Sequence, residues 1–263
     1  MTSDPLPQAT SIPLYAIPTT AGTGSEVTPY ATLWDKLSGK KYSLNGESIF
    51  PNYAIIDPDL CEEIPKIISL STGLDAINQA AESIWNKNAT SSTLELAYES
   101  ICLGVNSLQE IINGSPVKSD IDSMCKASLL AGLAISKTKT AICHSISYPL
   151  TGHFNIPHGL ACAFTMEAVL RINVEHKKNR FDDLACLLIG KKSQSKDLVE
   201  YFQIFLNNLN VRNLIKEFIP SYNALLSLRH EMFDPDRSGN SLVNFDDNNI
   251  EEILYSSWHG NIK

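Results

Sequence analysis

The chain has 263 residues, of which 43% are hydrophobic and 19% are charged, so it can bury a sizeable core in one or two domains. This composition excludes a disordered tail. The net charge of -8 at pH 7 argues against nucleic acid and an anionic membrane surface as partners, because both bind basic patches.

Cysteine usage and apolar runs indicate the cellular setting. The six cysteines include no Cys-x-x-Cys pair, a pattern typical of a reducing cytoplasm. Residues 1–7 have no charged region followed by an apolar core, so they do not read as a signal peptide. The longest apolar stretch, 129–135, is far shorter than the ~20 residues that span a bilayer. We therefore expect a cytoplasmic protein without a membrane segment.

The pattern of elements changes near residue 65. Before it, β-branched and aromatic runs separated by Pro, Gly and Asn predict strands at 14–17, 30–34, 41–44 and 53–56. After it, apolar residues at helical spacing predict helices at 71–86, 91–113, 120–136, 139–147, 159–173, 178–189, 196–208, 221–232 and 247–258.

Four side chains that can bind a metal lie in the helical region. Asp75 and Gln79 are four residues apart in one predicted helix, so both leave the same face about one turn apart. His144 and His158 follow, fourteen residues apart. Two imidazoles and a carboxylate suit iron or zinc, with one position left for substrate. Isolated His and Asp residues are also common as caps, core residues or solvated groups, so spacing alone leaves both interpretations open.

A second motif lies at 16–28 and reads Ala-Ile-Pro-Thr-Thr-Ala-Gly-Thr-Gly-Ser-Glu-Val-Thr. With the Gly-Leu-Asp helix that contains Asp75, and two later histidines of which the second lies in Pro-His-Gly, it resembles the iron-containing (group III) alcohol dehydrogenases. The resemblance runs from about residue 10 to the C-terminal end. One position departs from the family: Gln79 stands where His is usual, and a neutral amide is a poorer metal ligand than imidazole.

The resemblance implies a mostly α fold. An all-helical, dehydroquinate synthase-like C-terminal domain would occupy 65–263 and bind the metal. Residues 1–64 would be the last β-strands of a truncated α/β dinucleotide-binding domain. The family's Gly-Gly-Gly-Ser-type turn, which binds the pyrophosphate at a helix N-terminus, does not occur in these 263 residues. Strands without their neighbours would expose edges and apolar faces.

The cofactor implied by the resemblance is NAD or NADP, which the sequence does not distinguish. Residues 19–24 combine small side chains, hydroxyls and permissive backbone, which suit close approach to a ribose or nicotinamide. The cofactor-binding residues expected on this basis are Thr19, Thr20, Gly22, Thr23, Gly24, Thr28, Lys41 and Leu60. Without the resemblance, a Gly-rich turn with a Thr23-to-Glu26 capping box is the simpler interpretation. Lys41 alone would be a solvated surface charge.

The implied chemistry is hydride transfer between the nicotinamide and a carbonyl carbon, with Fe2+ or Zn2+ as Lewis acid. Tyr148 follows His144 by four residues and would position substrate or pass a proton, although a packed core tyrosine is an equal alternative. His153, in the loop predicted between the two histidines, is a second candidate catalytic residue. By resemblance, we expect a homodimer.

The substrate implied is a small aldehyde or alcohol. Segments 82–88, 136–140 and 144–150 resemble the phosphonoacetaldehyde reductase branch of the family. Lys137 and Lys139 would then meet the phosphonate, or else serve as ordinary cations at a helix end. An alternative from a different class is a non-catalytic remnant that keeps the helical metal-binding domain but cannot bind the dinucleotide.

Overall fold

Four short strands form two separate sheets in the computed structural model, which describes residues 12–35, 40–177 and 179–260. Strand β1 (Tyr15–Ala16) pairs in parallel with β4 (Tyr53–Ala54). Strand β2 (Tyr30–Asp35) pairs antiparallel with β3 (Lys40–Asn45), with the first residue of β2 opposite the last of β3. All four strands agree with the predicted runs to within two residues at each end.

Helices make up most of the described chain, which confirms the predicted mostly α fold. They are α1 (Lys66–Ile84), α2 (Ser91–Asn113), α3 (Lys118–Thr138), α4 (Ile142–Phe154), α5 (His158–His176), α6 (Asn179–Leu188), α7 (Ser195–Asn208), α8 (Val211–Phe218), α9 (Tyr222–Ser227), α10 (Pro235–Ser238) and α11 (Asp247–His259). Within the described ranges, every strand precedes α1 and every α-helix follows β4. The domain boundary at residue 65 stays a prediction.

Helix ends agree with the sequence where capping signals are local. Helix α2 has the predicted bounds, because Thr90 and Thr93 form a capping box in which each hydroxyl accepts from the other's backbone N–H. Helix α1 begins five residues before the predicted start at Ser71, so that serine is an interior residue. The eight-residue α8 was not predicted; it follows Asn210, which has a left-handed backbone conformation.

Helix α4 extends seven residues beyond its predicted end. Pro149 lies inside it and cannot donate a backbone hydrogen bond to the carbonyl of Ser145. The helix nevertheless continues, because Ile146 and Leu150 on either side of the proline are fully buried. His153 therefore lies in the last turn of α4 and not in a loop, which corrects the prediction.

Helix α1 is the central element of the core. It packs against α2, α3 and α5 and buries Leu74, Ile77 and Ile84 almost completely. A helix surrounded on most sides has no solvent-exposed face for its polar residues. The polar residues from Asp75 to Ser83 of α1 are consequently carried into the protein interior.

The sheet formed by β1 and β4 is exposed. Leu14, Tyr15, Ile17, Tyr53 and Ile55 are each about half accessible to solvent, and the two tyrosine rings stack at 4.8 Å. The expectation of exposed apolar strand faces is confirmed.

In the part of the chain that the structure describes, no helix combines the length and the apolar character needed to cross a bilayer.

Candidate metal centre

Four side chains that can bind a metal ion converge at one point, from three helices. They are Asp75 of α1, His144 of α4, and His158 and Cys162 of α5, and their ligating atoms all lie within 4.8 Å of one another. Oδ1 of Asp75 is 3.3 Å from Nε2 of His144 and 4.0 Å from Nε2 of His158. The structure thus brings together the predicted ligands Asp75, His144 and His158, and it places a cysteine beside them.

Gly159 allows this convergence. A Cβ at Gly159 would overlap the carbonyl oxygen of Ser71 and lie 2.8 Å from the backbone nitrogen of Asp75. Only glycine permits the first turn of α5 to approach α1 so closely. His158, the preceding residue, is therefore placed beside the carboxylate of Asp75.

Glu82 orients His144. It is fully buried, and each of its two oxygens accepts two hydrogen bonds. Oε1 accepts from the backbone N–H groups of Cys143 (2.6 Å) and His144 (3.2 Å). Oε2 accepts from Ala141 N–H (2.6 Å) and from Nδ1 of His144 (2.7 Å). A carboxylate behind an imidazole fixes the ring so that its other nitrogen faces the metal position.

The donor set fits a divalent metal ion. Oδ1 of Asp75 is buried and makes no hydrogen bond to any described residue. With Nδ1–H of neutral His144 donating to Glu82, the lone pair of Nε2 points toward that oxygen. Two acceptors 3.3 Å apart need a cation or a proton between them. Carboxylate, imidazole and thiolate are the ligands that zinc binds.

Protons compete for the same atoms. Burial lowers the pKa of His144, but the neighbouring Cys162 and Glu82 raise it, and the net result is a pKa well above the ordinary value. Burial raises the pKa of Cys162, but the combined effect of His144 and His158 is larger and opposite. The net pKa is lowered to about 7. A metal ion that binds here must displace these protons, so its affinity depends on pH.

One side of the cluster faces solvent. The side chain of His158 is 39% exposed, whereas those of Asp75 and His144 are nearly inaccessible. The ring of Tyr148 stacks parallel to that of His158, with centroids 6.0 Å apart. Burial raises the pKa of Tyr148, so its hydroxyl stays protonated at neutral pH. The cluster is therefore accessible to solvent on the side of His158.

The predicted cofactor segment packs beside the metal ligands. Gly22 lies against Thr72 of α1, where a Cβ would come within 2.5 Å of the threonine Cβ. Gly24 has a positive φ of 60° and contacts Gly132 of α3. Nε2 of Gln79 donates to the carbonyl of Thr23 at 3.4 Å, and its Oε1 is buried without a hydrogen bond to described residues.

The other predicted cofactor residues differ in accessibility. Thr19 and Thr23 are exposed, Thr20 is half-buried and Leu60 is 47% exposed in a short 3-10 turn. Thr28 is buried. The side chain of Lys41 lies outside the described residues.

The alternative interpretation of this segment, a Thr23-to-Glu26 capping box, is wrong. Oγ1 of Thr23 accepts from the backbone of Ser25 at 3.2 Å, and the short helix that begins at Ser25 has no side-chain cap. Glu26 is buried instead of reaching back to the segment's backbone.

His153 does not join the cluster. Its side chain is about half exposed, and its Nε2 lies 2.8 Å from Oε2 of Glu231. Its catalytic role stays a prediction.

Two residues of the site, Glu82 and Cys162, were not predicted, although their spacing pointed to both. Glu82 follows Asp75 by seven residues, and Cys162 follows His158 by four. Both spacings return to the same face of a helix.

Comparison with known proteins identifies the family. A model described as "Fe-containing alcohol dehydrogenase family, C-terminal" matches residues 69–256, and one described as "Iron-containing alcohol dehydrogenase" matches residues 2–58. The chain belongs to the iron-containing alcohol dehydrogenase family. The resemblance inferred from the motifs is confirmed.

Curated members of this family that resemble the chain are oxidoreductases. The probable alcohol dehydrogenase EutG of Escherichia coli is 36% identical over 188 residues, which cover 72% of this chain and 48% of EutG. The phosphonoacetaldehyde reductase of Streptomyces viridochromogenes is 33% identical over 206 residues, which cover 73% of this chain and 52% of that reductase. The chain spans about half the length of these relatives.

Two solved structures share the fold of this chain. Sulfoacetaldehyde reductase from Bifidobacterium kashiwanohense, solved in complex with NAD+, superposes with a TM-score of 0.89 at 29% identity, covering 99% of this chain and 68% of that protein. The iron-containing alcohol dehydrogenase of Thermococcus thioreducens has a TM-score of 0.85 at 24% identity, and the match covers 95% of this chain and 65% of that protein. The predicted fold class is therefore confirmed.

Proposed function

We propose that this chain forms the metal centre of an NAD(P)-linked alcohol dehydrogenase that reduces a small aldehyde. The observation that carries the proposal is the convergence of Asp75, His144 and His158 next to the Gly-rich segment at 19–24. When bound, a divalent ion would supply Lewis-acid polarisation of a carbonyl oxygen.

The residues of the chain have distinct roles in this proposal. Asp75, His144 and His158 hold the metal, and Glu82 keeps Nε2 of His144 directed toward it. Gln79 stays a predicted ligand through its buried Oε1, while its Nε2 anchors the cofactor segment. One residue thus connects the metal site to the nicotinamide side.

Tyr148 would interact with the substrate oxygen. It lies on the solvent-facing side of the cluster, with its ring against that of His158. Because burial raises its pKa, its hydroxyl carries a proton at neutral pH and can donate a hydrogen bond to an aldehyde oxygen. A phenol with a raised pKa is a weak acid, so we assign Tyr148 to positioning ahead of proton transfer.

The cofactor would approach the loop formed by 19–24. Exposed Thr19 and Thr23 offer hydroxyls there, and the backbone at Gly22 is held against α1. NAD is the first cofactor to test, since the similar sulfoacetaldehyde reductase was solved with NAD+.

The substrate we propose is a small aldehyde that carries an anionic oxyacid group. Two of the similar proteins are named for such substrates, phosphonoacetaldehyde and sulfoacetaldehyde. Lys137, in the last turn of α3, and Lys139, which caps the C-terminus of α3, are both exposed. The positive charge of Arg237 acts on Tyr148, where it opposes the rise of the tyrosine pKa that burial causes. A cation beside the substrate side of the cluster would favour an anionic aldehyde.

A second candidate function is a metal-binding domain that does not bind the dinucleotide. The exposed apolar faces of β1 and β4 favour it, because a parallel dinucleotide-binding sheet is normally covered on both faces.

One experiment separates the two candidates. The purified chain is assayed for bound metal by elemental analysis and titrated with NADH and NADPH, with binding followed by nicotinamide fluorescence. Metal with cofactor binding supports the dehydrogenase and justifies assays with phosphonoacetaldehyde and sulfoacetaldehyde. Metal without cofactor binding supports the second candidate. The absence of bound metal after incubation with Fe2+ or Zn2+ would refute both.

A further inference from the structure

Cys162 occupies the fourth corner of the metal cluster. It lies one helical turn after His158 on α5, so both side chains leave the same face. The side chain is fully buried, and its Sγ lies 3.7 Å from Nε2 of His158. Cys162 is more than a residue of the hydrophobic core, because its Sγ lies within 4.8 Å of the ligating atoms of the other three side chains.

The spacing of the four atoms suits a single small ion. Tetrahedral zinc with bonds of roughly 2.0–2.3 Å has ligand atoms about 3.3–3.8 Å apart. The separations here are 3.3 Å from Asp75 to His144, 3.7 Å from Cys162 to His158 and 4.0 Å from His158 to Asp75. Every pair of the four atoms lies within 4.8 Å, so an inward movement of at most about 1 Å brings each separation into this range.

We propose that Cys162 is the fourth protein ligand of the metal. The inference rests on the metal centre of the proposed function and assigns to Cys162 the fourth position that was predicted for Gln79. Gln79, at the position where an imidazole would be expected, offers only a neutral amide and uses its Nε2 on the backbone of Thr23. On binding, the Sγ–H bond of Cys162 breaks, the proton passes to solvent and an Sγ–metal bond forms.

A thiolate changes the metal preference. Thiolate is a soft ligand that zinc binds well, and divalent zinc already exceeds divalent iron in intrinsic affinity for such donor sets. An Asp-His-His-Cys site should therefore favour zinc over iron. A substrate oxygen would enter as a fifth ligand, an expansion that catalytic zinc sites undergo.

X-ray absorption spectroscopy of the zinc-loaded full chain tests the ligand directly. We expect a sulfur shell near the usual zinc–sulfur distance of about 2.3 Å. Cys162→Ser should abolish this shell. It should also weaken zinc binding by about 10–100-fold or more, since loss of a residue that only hydrogen-bonds to a ligand already costs that much. Cys125→Ser is the matched control, because Cys125 is also a buried helical cysteine but belongs to α3, away from the cluster.

The outcomes separate this inference from the proposed function. A sulfur shell that persists in Cys125→Ser and disappears in Cys162→Ser supports it. Zinc bound by nitrogen and oxygen alone in the unmodified chain overturns the Cys162 assignment and leaves the metal centre intact. Failure of the unmodified chain to bind zinc overturns both. If Cys162→Ser does not fold, the spectrum of the unmodified chain still decides between a sulfur shell and its absence.

Discussion

Replacing Glu82 with glutamine should weaken metal binding while leaving the proposed metal ligands themselves unchanged. Each carboxylate oxygen of Glu82 accepts two hydrogen bonds, from Cys143 and His144 N–H at Oε1 and from Ala141 N–H and His144 Nδ1 at Oε2. An amide has one acceptor oxygen and can keep only one of these pairs. Its NH2 group must face two donors, and if it donates to Nδ1 of His144, the ring proton moves to Nε2, where it blocks the metal.

The size of the effect follows from these contacts. Each buried donor left without an acceptor costs about 1–3 kcal/mol, so with one or two such donors the free energy of unfolding should fall by about 1–6 kcal/mol. Loss of a carboxylate behind a ligating histidine typically weakens metal binding about 10–100-fold, or about 1.4–2.8 kcal/mol. The measurements are urea unfolding and a competitive zinc titration against a chelating dye.

Glu167→Gln is the matched control. Glu167 is also buried, but it pairs with Arg171 on α5 at 3.4 Å. This variant should lose stability and keep the zinc affinity of the unmodified chain. If Glu82→Gln binds zinc as tightly as Glu167→Gln does, Glu82 does not orient His144 as we infer.

Four further predictions concern single side chains. His158→Ala should remove bound metal far more than His230→Ala, a change at an exposed histidine; equal loss by elemental analysis would refute the ligand assignment. Gly159→Ala should destabilise the fold by about 1–3 kcal/mol through overpacking against α1 and weaken metal binding, both measured on the same sample; wild-type values would contradict the required close approach. Gln79→His should tighten zinc binding if its side chain faces the ligands, and an unchanged titration would mean that it does not. Burial raises the pKa of Glu26, so its contribution to stability is present below the unfolded pKa and is lost as pH rises through the folded pKa; Glu26→Gln should therefore raise the melting temperature at pH 7 but not near pH 4, and a pH-independent difference would contradict this reasoning.

The helices were predictable because their signals are local. Apolar residues at helical spacing and the Gly-Ser-Pro sequence at 114–116 place α2 to the residue, and the change of pattern near residue 65 separates strands from helices. Helix α4 was predicted too short, since a proline normally stops a helix and only tertiary burial of Ile146 and Leu150 overrides it.

The metal site was predictable only in part. Asp75, His144 and His158 lie in recognisable motifs, and their convergence confirms that these motifs meet in space. Cys162 and Glu82 carry no motif of their own. Helical spacing places them on the same faces as Asp75 and His158, but spacing does not say which face points toward another helix.

Sequence by itself determined the element types, the family and three of the four converging side chains, because periodicity and short motifs are properties of neighbouring residues. The tertiary structure decided which faces meet. The close approach of α5 to α1 at Gly159 places His158 and Cys162 opposite Asp75, and the buried Glu82 directs His144 toward the same point. These contacts join residues far apart in the chain, so they depend on the packing of whole helices and not on any local pattern.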